Sequence, residues 1–579
     1  MKIKKTATAL SRSMRIGIAT ITSTAMLGGV LVAVPAHPLL PTTAVAQAQT
    51  SAPIATATGE VIDLALLRDV VHPDDETEFL RVLELIRADA RYPGKENHSA
   101  DIDLTLLEGI DLKIDAIELP LLDFLNIQGT GLGALSASAA TPAGNTASAA
   151  AGILTGDGSI DLSRHGNNSD VDTVLDLTKV VGVDELTKGI VDELSLRIGA
   201  VSASAQRDGD QVTSEYALSN VDLTLDSPLI GDLTQALIGT ETGNLGLASQ
   251  IDNAVDTLAG DASLLSGLTG LLGGVFDLLK ALSLGLVNVS GPTLELGTDI
   301  QGVLQPLLGE KLESEAVSID LATGQISINL EALGGTSALD PNTNLLNEAA
   351  VLQITTEVDT LLDQLLDNVR DAVEEGLLET SVKVHIGAST GVGPLKAQLA
   401  NITIDGTLNE LLAGDPTTLD LELLGVSSPT LESTLLDLLS TIGTTLDNAI
   451  DDVVDPLLDT VLGGLLNTVV APLVGGIGNI LSEDSKILRI TVNDQPNRLT
   501  GTLTDTTGRP NAKTGAITRP DEEFTVSALR VNVLNGLIDL PLARATVNAD
   551  ADWTLPTDAD TYDVSYPAIT DAKAGGDAK

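Results

Sequence analysis

Gly387-Ala388-Ser389-Thr390-Gly391 matches the G-x-S-x-G spacing of a serine-hydrolase elbow. Acyl transfer there needs Ser389 on a strand-to-helix turn, a His to take its proton and an acid to orient that His. A strand pattern precedes the motif, but Gly391-Val392-Gly393-Pro394 and a second strand pattern follow it. The stretch therefore reads as a hairpin loop, with hydrolysis through Ser389 kept only as a third reading. His72, His98, His165 and His385 form no H-E-x-x-H or other close pair. Asn548, Asp550 and Asp552 alternate like the start of a calcium loop. Trp553 stands where that loop needs Gly, and Ala559 where it needs Glu. Gly156-Asp157-Gly158 and Asp208-Gly209-Asp210 read as turns. With 81 acidic residues, carboxylate pairs are unavoidable and single out no acid–base couple. The absence of cysteine excludes thiol catalysis and thiolate metal sites. No catalytic, cofactor or metal residue is assigned, and the chain is expected to be non-catalytic.

The elements that would carry such groups are apolar helices and alternating strands. Ile354, Val358, Leu361, Leu362, Leu365, Leu366, Val369, Val373 and Leu377 recur at helical spacing. Asp359, Asp363, Asp367, Asp371 and Glu375 lie opposite, which predicts one buried stripe and one acidic face. Thr380–Ile386 and Gln398–Asp405 alternate as strands after it. Apolar pairs recur every four residues from Val453-Val454 to Leu473-Val474, followed by strand patterns over Lys486–Val492 and Phe524–Leu534. A first copy of this helix–strand–strand unit is expected from Val171, its helix carrying Val174, Leu175, Val181, Leu186, Ile190 and Val191. Its strands are Leu194–Ala205 and Ser214–Leu225, joined by a turn at Arg207-Asp208-Gly209-Asp210. Val61–Ala88 reads as helical on both sides of Pro73, and Asp101–Gln128 as strands. Gly133-Ala134-Leu135-Ser136-Ala137-Ser138-Ala139 echoes Gly199-Ala200-Val201-Ser202-Ala203-Ser204-Ala205, and a structural echo would make part of that stretch a strand. The expected organisation is a signal segment 1–46, an N-terminal α+β segment 47–132 and an Ala/Gly/Ser-rich linker 133–160. Two α+β domains follow at 161–345 and 346–549, then an acidic, disordered tail at 550–579. The fold class is α+β, with antiparallel sheets packed on long amphipathic helices as possible repeats.

The beginning of the chain carries an address. Lys2, Lys4, Lys5, Arg12 and Arg15 precede the uncharged run Ile16–Val34, and Ala44-Val45-Ala46 precedes Gln47. That order predicts a secretory signal peptide cut between Ala46 and Gln47. Cleavage removes basic residues only and deepens a net charge of −50, which repels nucleic acid and anionic head groups. Aromatic residues make up only 2% of the chain, so aliphatic side chains must build the core and stacking platforms are scarce. Val461–Leu481 has the length of a membrane span and no charge. Its glycine- and asparagine-filled gaps and acidic flanks favour a buried amphipathic helix. Leu555-Pro556-Thr557-Asp558-Ala559 keeps only two residues of a sortase motif, so no covalent wall anchor is expected.

Ala149–Leu162, Ser214–Leu225 and Ala528–Val547 resemble the choice-of-anchor G family of secreted actinobacterial surface proteins. The resemblance implies an ectodomain without enzymatic activity, joined in the family to varied C-terminal anchors, none of which is recognisable here. The expected protein is thus a secreted or cell-surface structural or adhesion-type component of a Gram-positive envelope. It would be extracellular or loosely wall-attached, with no cofactor and with envelope components or a host or neighbour surface as partners. No nucleic-acid partner and no stable membrane span after signal cleavage are expected. The alternative is an extracellular carrier of an apolar, lipid-like ligand held between helices and curved sheets.

Overall fold

A computed structural model describes residues 54–62, 87–101, 111–114, 117–120, 125–128, 135–162, 172–179, 183–239, 246–282, 287–390, 397–423, 429–497 and 523–550. The chain is α+β, as its sequence pattern requires. A six-stranded antiparallel sheet runs in the order Thr343–Asn344, Leu488–Asp494, Phe524–Val533, Ile538–Ala549, Ala55–Ile62, Arg87–Tyr92. A ten-stranded sheet is built around the hairpin Glu193–Asp208 and Gln211–Asp226. Its two-residue loop begins with Gly209 at φ 58°, a value that favours glycine. On one side of the hairpin lie Gln325–Asn329, Val317–Asp320 and Lys311–Glu313. On the other lie Thr146–Ile153, Leu135–Ala143 and Asn97–Asp101, with Asp172–Asp176 and Leu125–Gln128 paired off the main path. A five-stranded sheet centres on Ser381–Thr390 and Ala397–Thr407.

The stretch expected as a linker, 133–160, is instead central. Leu135–Ala143 and Thr146–Ile153 form a hairpin whose second strand pairs with Glu193–Asp208. Low-complexity composition hides strand alternation here because both alternating residues are small. In Leu135–Ala143, Ala137 and Ala139 are buried while Ser136 and Ser138 are half-exposed. The six-stranded sheet packs on this hairpin through Ala55–Ile62, Arg87–Tyr92 and Ile538–Ala549. Its own facing residues include Ala55, Ala57, Ala88, Ala90, Ala545 and Ala549, all buried. At Gly59 a Cβ would lie 2.3 Å from the Ala150 carbonyl oxygen and 2.9 Å from that of Ser138. Backbone thus meets backbone, where side-chain-filled sandwiches hold their sheets about 10 Å apart.

Three strands of the six-stranded sheet change face together. In Ile538–Ala549 the core side passes from Ile538, Leu540 and Leu542 to Ala543, Ala545, Val547 and Ala549, with Ala543 at φ 50°. In Phe524–Val533 it passes from Phe524, Val526 and Ala528 to Leu529, Val531 and Val533. In Leu488–Asp494 the break falls at Asn493, at φ 53°. Val492, Leu529 and Leu542 align across the strands at this break. Alternation is period two, so a strand whose core side shifts by one residue must break its alternation at that point.

The helices follow the expected stripes. Glu348–Leu378 begins at Asn347, whose side chain accepts bonds from Ala349 N and Ala350 N at 3.1 Å. Its predicted apolar stripe is buried, and Asp359, Asp363, Asp367, Asp371 and Glu375 are exposed. Pro429–Leu465 continues through a π-helical turn, Leu466–Val470, into Ala471–Leu481. A four-residue repeat overshoots the 3.6-residue turn by about 40° per step. The buried member of each apolar pair accordingly moves from the second residue (Val454, Leu458, Leu462) to the first (Leu465, Leu473). Leu438–Leu481 is long and apolar enough to cross a membrane by length and composition; its buried stripe lies within the fold. Arg370 joins the two long helices through Asp459 at 2.7 Å.

Other expectations differ from the structure. The helix of the first repeat copy is replaced by the strand Asp172–Asp176, the 3-10 turn Leu177–Lys179 and the short helix Val183–Thr187. Leu186 of the expected apolar face is 59% exposed, so no continuous stripe exists there to stabilise a longer helix. The ends of the expected Val61–Ala88 helices are strands, Ala55–Ile62 and Arg87–Tyr92; 63–86 lie outside the described residues. Pro53–Lys579 is one compact unit, and the six-stranded sheet draws on segments from both ends of it, so the boundaries expected at 160/161 and 345/346 do not separate cores. Residues 1–53, which include Ala46 and Gln47, and the tail 551–579 lie outside the described residues.

Gly59→Ala should lower stability by about 1–3 kcal/mol, because the added methyl meets backbone oxygens that cannot rotate away. Gly463→Ala, in open space on a helix, should be neutral or stabilising by up to about 1 kcal/mol. Urea midpoints of the two variants check both signs.

Candidate functional site

Ser389 lies inside the strand Ser381–Thr390, paired with Asn288 on one side and Gln398 on the other. The motif expected as a hairpin loop is strand up to Thr390, and Ser389 occupies no strand-to-helix turn. His385, four residues earlier, is exposed, with Nδ1 3.4 Å from Thr403 Oγ1. His98 Nδ1 accepts a bond from Asp89 N at 3.0 Å, and burial with nearby Lys95 lowers its pKa. That histidine is a neutral strand partner at physiological pH. His72 and His165 lie outside the described residues. Among the described residues no three His, Asp or Glu side chains gather as a metal site. Asn548 lies within the strand Ile538–Ala549, Asp550 N bonds Gly144 O at 3.1 Å, and Asp552 lies outside the described residues. Asp157 accepts bonds from Thr155 Oγ1 and Ser159 N, and these hold its pKa low and close its own turn.

A cleft of about 640 Å³ lies on the outer face of the six-stranded sheet. Sequence reading missed it, because its residues come from two turns, two strands and a hairpin loop. Register places Arg489 opposite Asn532 and Thr491 opposite Arg530, so alternate residues of two strands present one polar face. The face break at Asn493 brings Asp494 onto the same side. The turn Glu483–Ser485, Lys486 and the loop residue Asn535 form the other wall. Asn535 N donates to Lys486 O at 2.8 Å, which ties that wall together.

Arg530 anchors the floor. Its Nε donates to Asp539 Oδ1 at 2.7 Å, and its Nη1 lies 3.4 Å from Asp494 Oδ2. The paired carboxylates raise the Arg530 pKa further. Burial raises the Asp494 carboxyl above its ordinary value, and Arg530 offsets only part of this. A second ion group on the same sheet has the same design. Glu60 sits 3.8 Å from both Arg87 and Arg544 across the adjoining strands, and burial raises its pKa against their pull. In contrast, the side chains of Lys486, Arg489, Asn532 and Asn535 make no hydrogen bond or ion pair with the described residues. The chain's basic side chains are few, and two of them face this cleft outside any ion pair, with Arg489 near enough to Asp494 to draw its pKa down.

A raised carboxyl pKa favours the protonated form in the folded state. Its stabilising contribution is complete below the unfolded value, 3.8 for Asp494, and is lost as pH rises through the folded value. Arg530→Gln removes the cation that holds Asp494 ionised. We expect a stability loss of about 2–4 kcal/mol at pH 7 and a smaller loss near pH 4, where Asp494 takes up a proton. Urea midpoints relative to the unmodified protein at the two pH values measure this difference.

A family model described as Domain of unknown function (DUF8394) matches residues 24–548. No curated protein and no solved structure matches the chain.

Proposed function

The chain belongs to this family of unknown function, and we propose that it is a secreted or cell-surface structural or adhesion-type protein of a bacterial envelope, non-catalytic. The closed sandwich carries this reading: at Gly59 the facing sheets leave no lumen between them, which suits a stiff scaffold rather than a container. The basic-then-apolar N-terminus with Ala44-Val45-Ala46 supports export, and the likeness to choice-of-anchor G proteins supports a surface role. The strand position of Ser389 weighs against hydrolysis.

The carrier reading retains one feature, an open groove of about 480 Å³ between the helices Ile300–Leu308 and Glu348–Leu378. Glu310, Glu375 and Glu379 border it, an edge that suits no bare hydrocarbon chain. Native mass spectrometry of the purified protein should show no lipid, and a stoichiometric lipid adduct would replace the scaffold reading with the carrier one.

Fractionation of the producing cell tests location. We expect a mature chain starting at Gln47 in the medium or in salt-extractable wall. Full-length protein in the cytosol, or release only by detergent, contradicts the proposal. A fluorophosphonate probe should leave Ser389 unlabelled, and labelling lost in Ser389→Ala would instead make the protein a serine hydrolase.

A further inference from the structure

We propose that the outer-face cleft binds an oxyanion-bearing polyol, a polyhydroxylated chain carrying carboxylate or phosphate groups. The charge balance at the cleft differs from that of the molecule. The chain carries −50 overall, yet the cleft lining is balanced, Lys486, Arg489 and Arg530 against Glu483, Asp484 and Asp494, with Asp539 behind it on Arg530. Two of those carboxylates are engaged. Asp494 is held by Arg530 at 3.4 Å, and Glu483 accepts from Asn344 Nδ2 at 2.9 Å. The groups left available are the Lys486 ammonium, the Arg489 guanidinium and the amides of Asn532 and Asn535, with Asp484 the one lining carboxylate left without a hydrogen bond or ion pair among the described residues.

A guanidinium presents a planar fork that matches the two oxygens of a carboxylate or phosphate, and an ammonium adds a point charge. Amides give and accept hydrogen bonds, which suits hydroxyl groups. The cleft has no aromatic lining, so recognition would be polar rather than by ring stacking. Long-range repulsion from the acidic surface is screened beyond about 8 Å at physiological salt, so the local cations decide binding. The backbone around these donors is fixed: Leu534 N bonds Ile487 O at 2.9 Å and Asn535 N bonds Lys486 O at 2.8 Å. A ligand would therefore meet a formed wall.

This assignment deepens the adhesion reading by naming a ligand class, and it is tested on purified mature protein, independently of where the cell places it. A galacturonate oligosaccharide and a glycerol phosphate oligomer are titrated by calorimetry. At least one should bind, and Lys486→Gln/Arg489→Gln should weaken it at least tenfold. The Lys486 side chain has no hydrogen bond or ion pair among the described residues and Arg489 acts on Asp494 only at longer range, so the double variant should fold and melt close to the parent. Lys383→Gln, which removes a cation paired with Asp405 at 3.1 Å on the five-stranded sheet, should leave affinity unchanged. Binding of galacturonate alone identifies the carboxylate as the recognised group, and binding of glycerol phosphate alone the phosphate. Failure of both probes to bind, or equal loss in the Lys383 variant, overturns the assignment. A cytosolic location with intact binding would remove the surface role and keep the site.

Discussion

The contact of two small-residue sheets is the constraint on which the rest of the structure depends. A sandwich filled with leucine or phenylalanine tolerates small shifts, because long side chains adjust. Here the methyl of alanine and the bare Cα of Gly59 set the separation, and the Ala150 carbonyl lies directly against that glycine. Each alanine buries little apolar area, so the stabilisation comes from the number of residues and from dense packing. The large aliphatic residues are placed beyond the break in the six-stranded sheet, at Leu529, Val531, Leu540 and Leu542.

The change of face at Asn493, Ala528 and Ala543 follows from that division. It keeps one sheet continuous in hydrogen bonding while its apolar side moves from alanine to larger residues. It also sets the polar face. Arg530, Asp539 and Asp494 meet because the break turns Asp494 outward, and Arg544 reaches Glu60 beyond it. Half-buried ion pairs of this kind contribute little net stability, but losing one partner leaves a costly charge. They act as registry marks across neighbouring strands, and they leave Arg489 and Lys486 as the cleft's available cations.

The helices show the same economy. The acidic face of Glu348–Leu378 repels itself: burial, with Asp359 and Asp367 alongside, raises the Asp363 pKa, as burial and Asp447 do for Asp451 on the second long helix. Arg370 bridges to Asp459 between the two. The buried stripe carries the helix against this repulsion, since apolar packing rather than surface pairs supplies most helical stability in a folded chain.

Local patterns were enough for the elements whose signal is contained within one turn or one strand. The stripe of Glu348–Leu378, the pairs of Val453–Val474, the Gly209 turn and the long hairpin that it closes are all legible as periodicities of 3.6 and 2. So is the α+β class. The alanine hairpin Leu135–Ile153 was signalled only by the echo of Gly199–Ala205 at Gly133–Ala139, both of which contribute strand, because its own alternation is between Ala and Ser, two small residues that also make linkers. What turned that stretch into a core strand is the opposing sheet, which supplies burial only when the chain is folded. The short helix Val183–Thr187 likewise reflects neighbours that leave Leu186 in solvent. The cleft lies furthest from sequence reading. Asn342, Lys486, Arg489 and Asn532 are far apart or unremarkable along the chain, and register together with a break in alternation puts them on one face. Composition determined a cysteine-free, acidic, aliphatic chain and periodicity its α+β class; tertiary pairing alone decided which small residues became its core and which cations stayed outside ion pairs, because both depend on what lies across the interface.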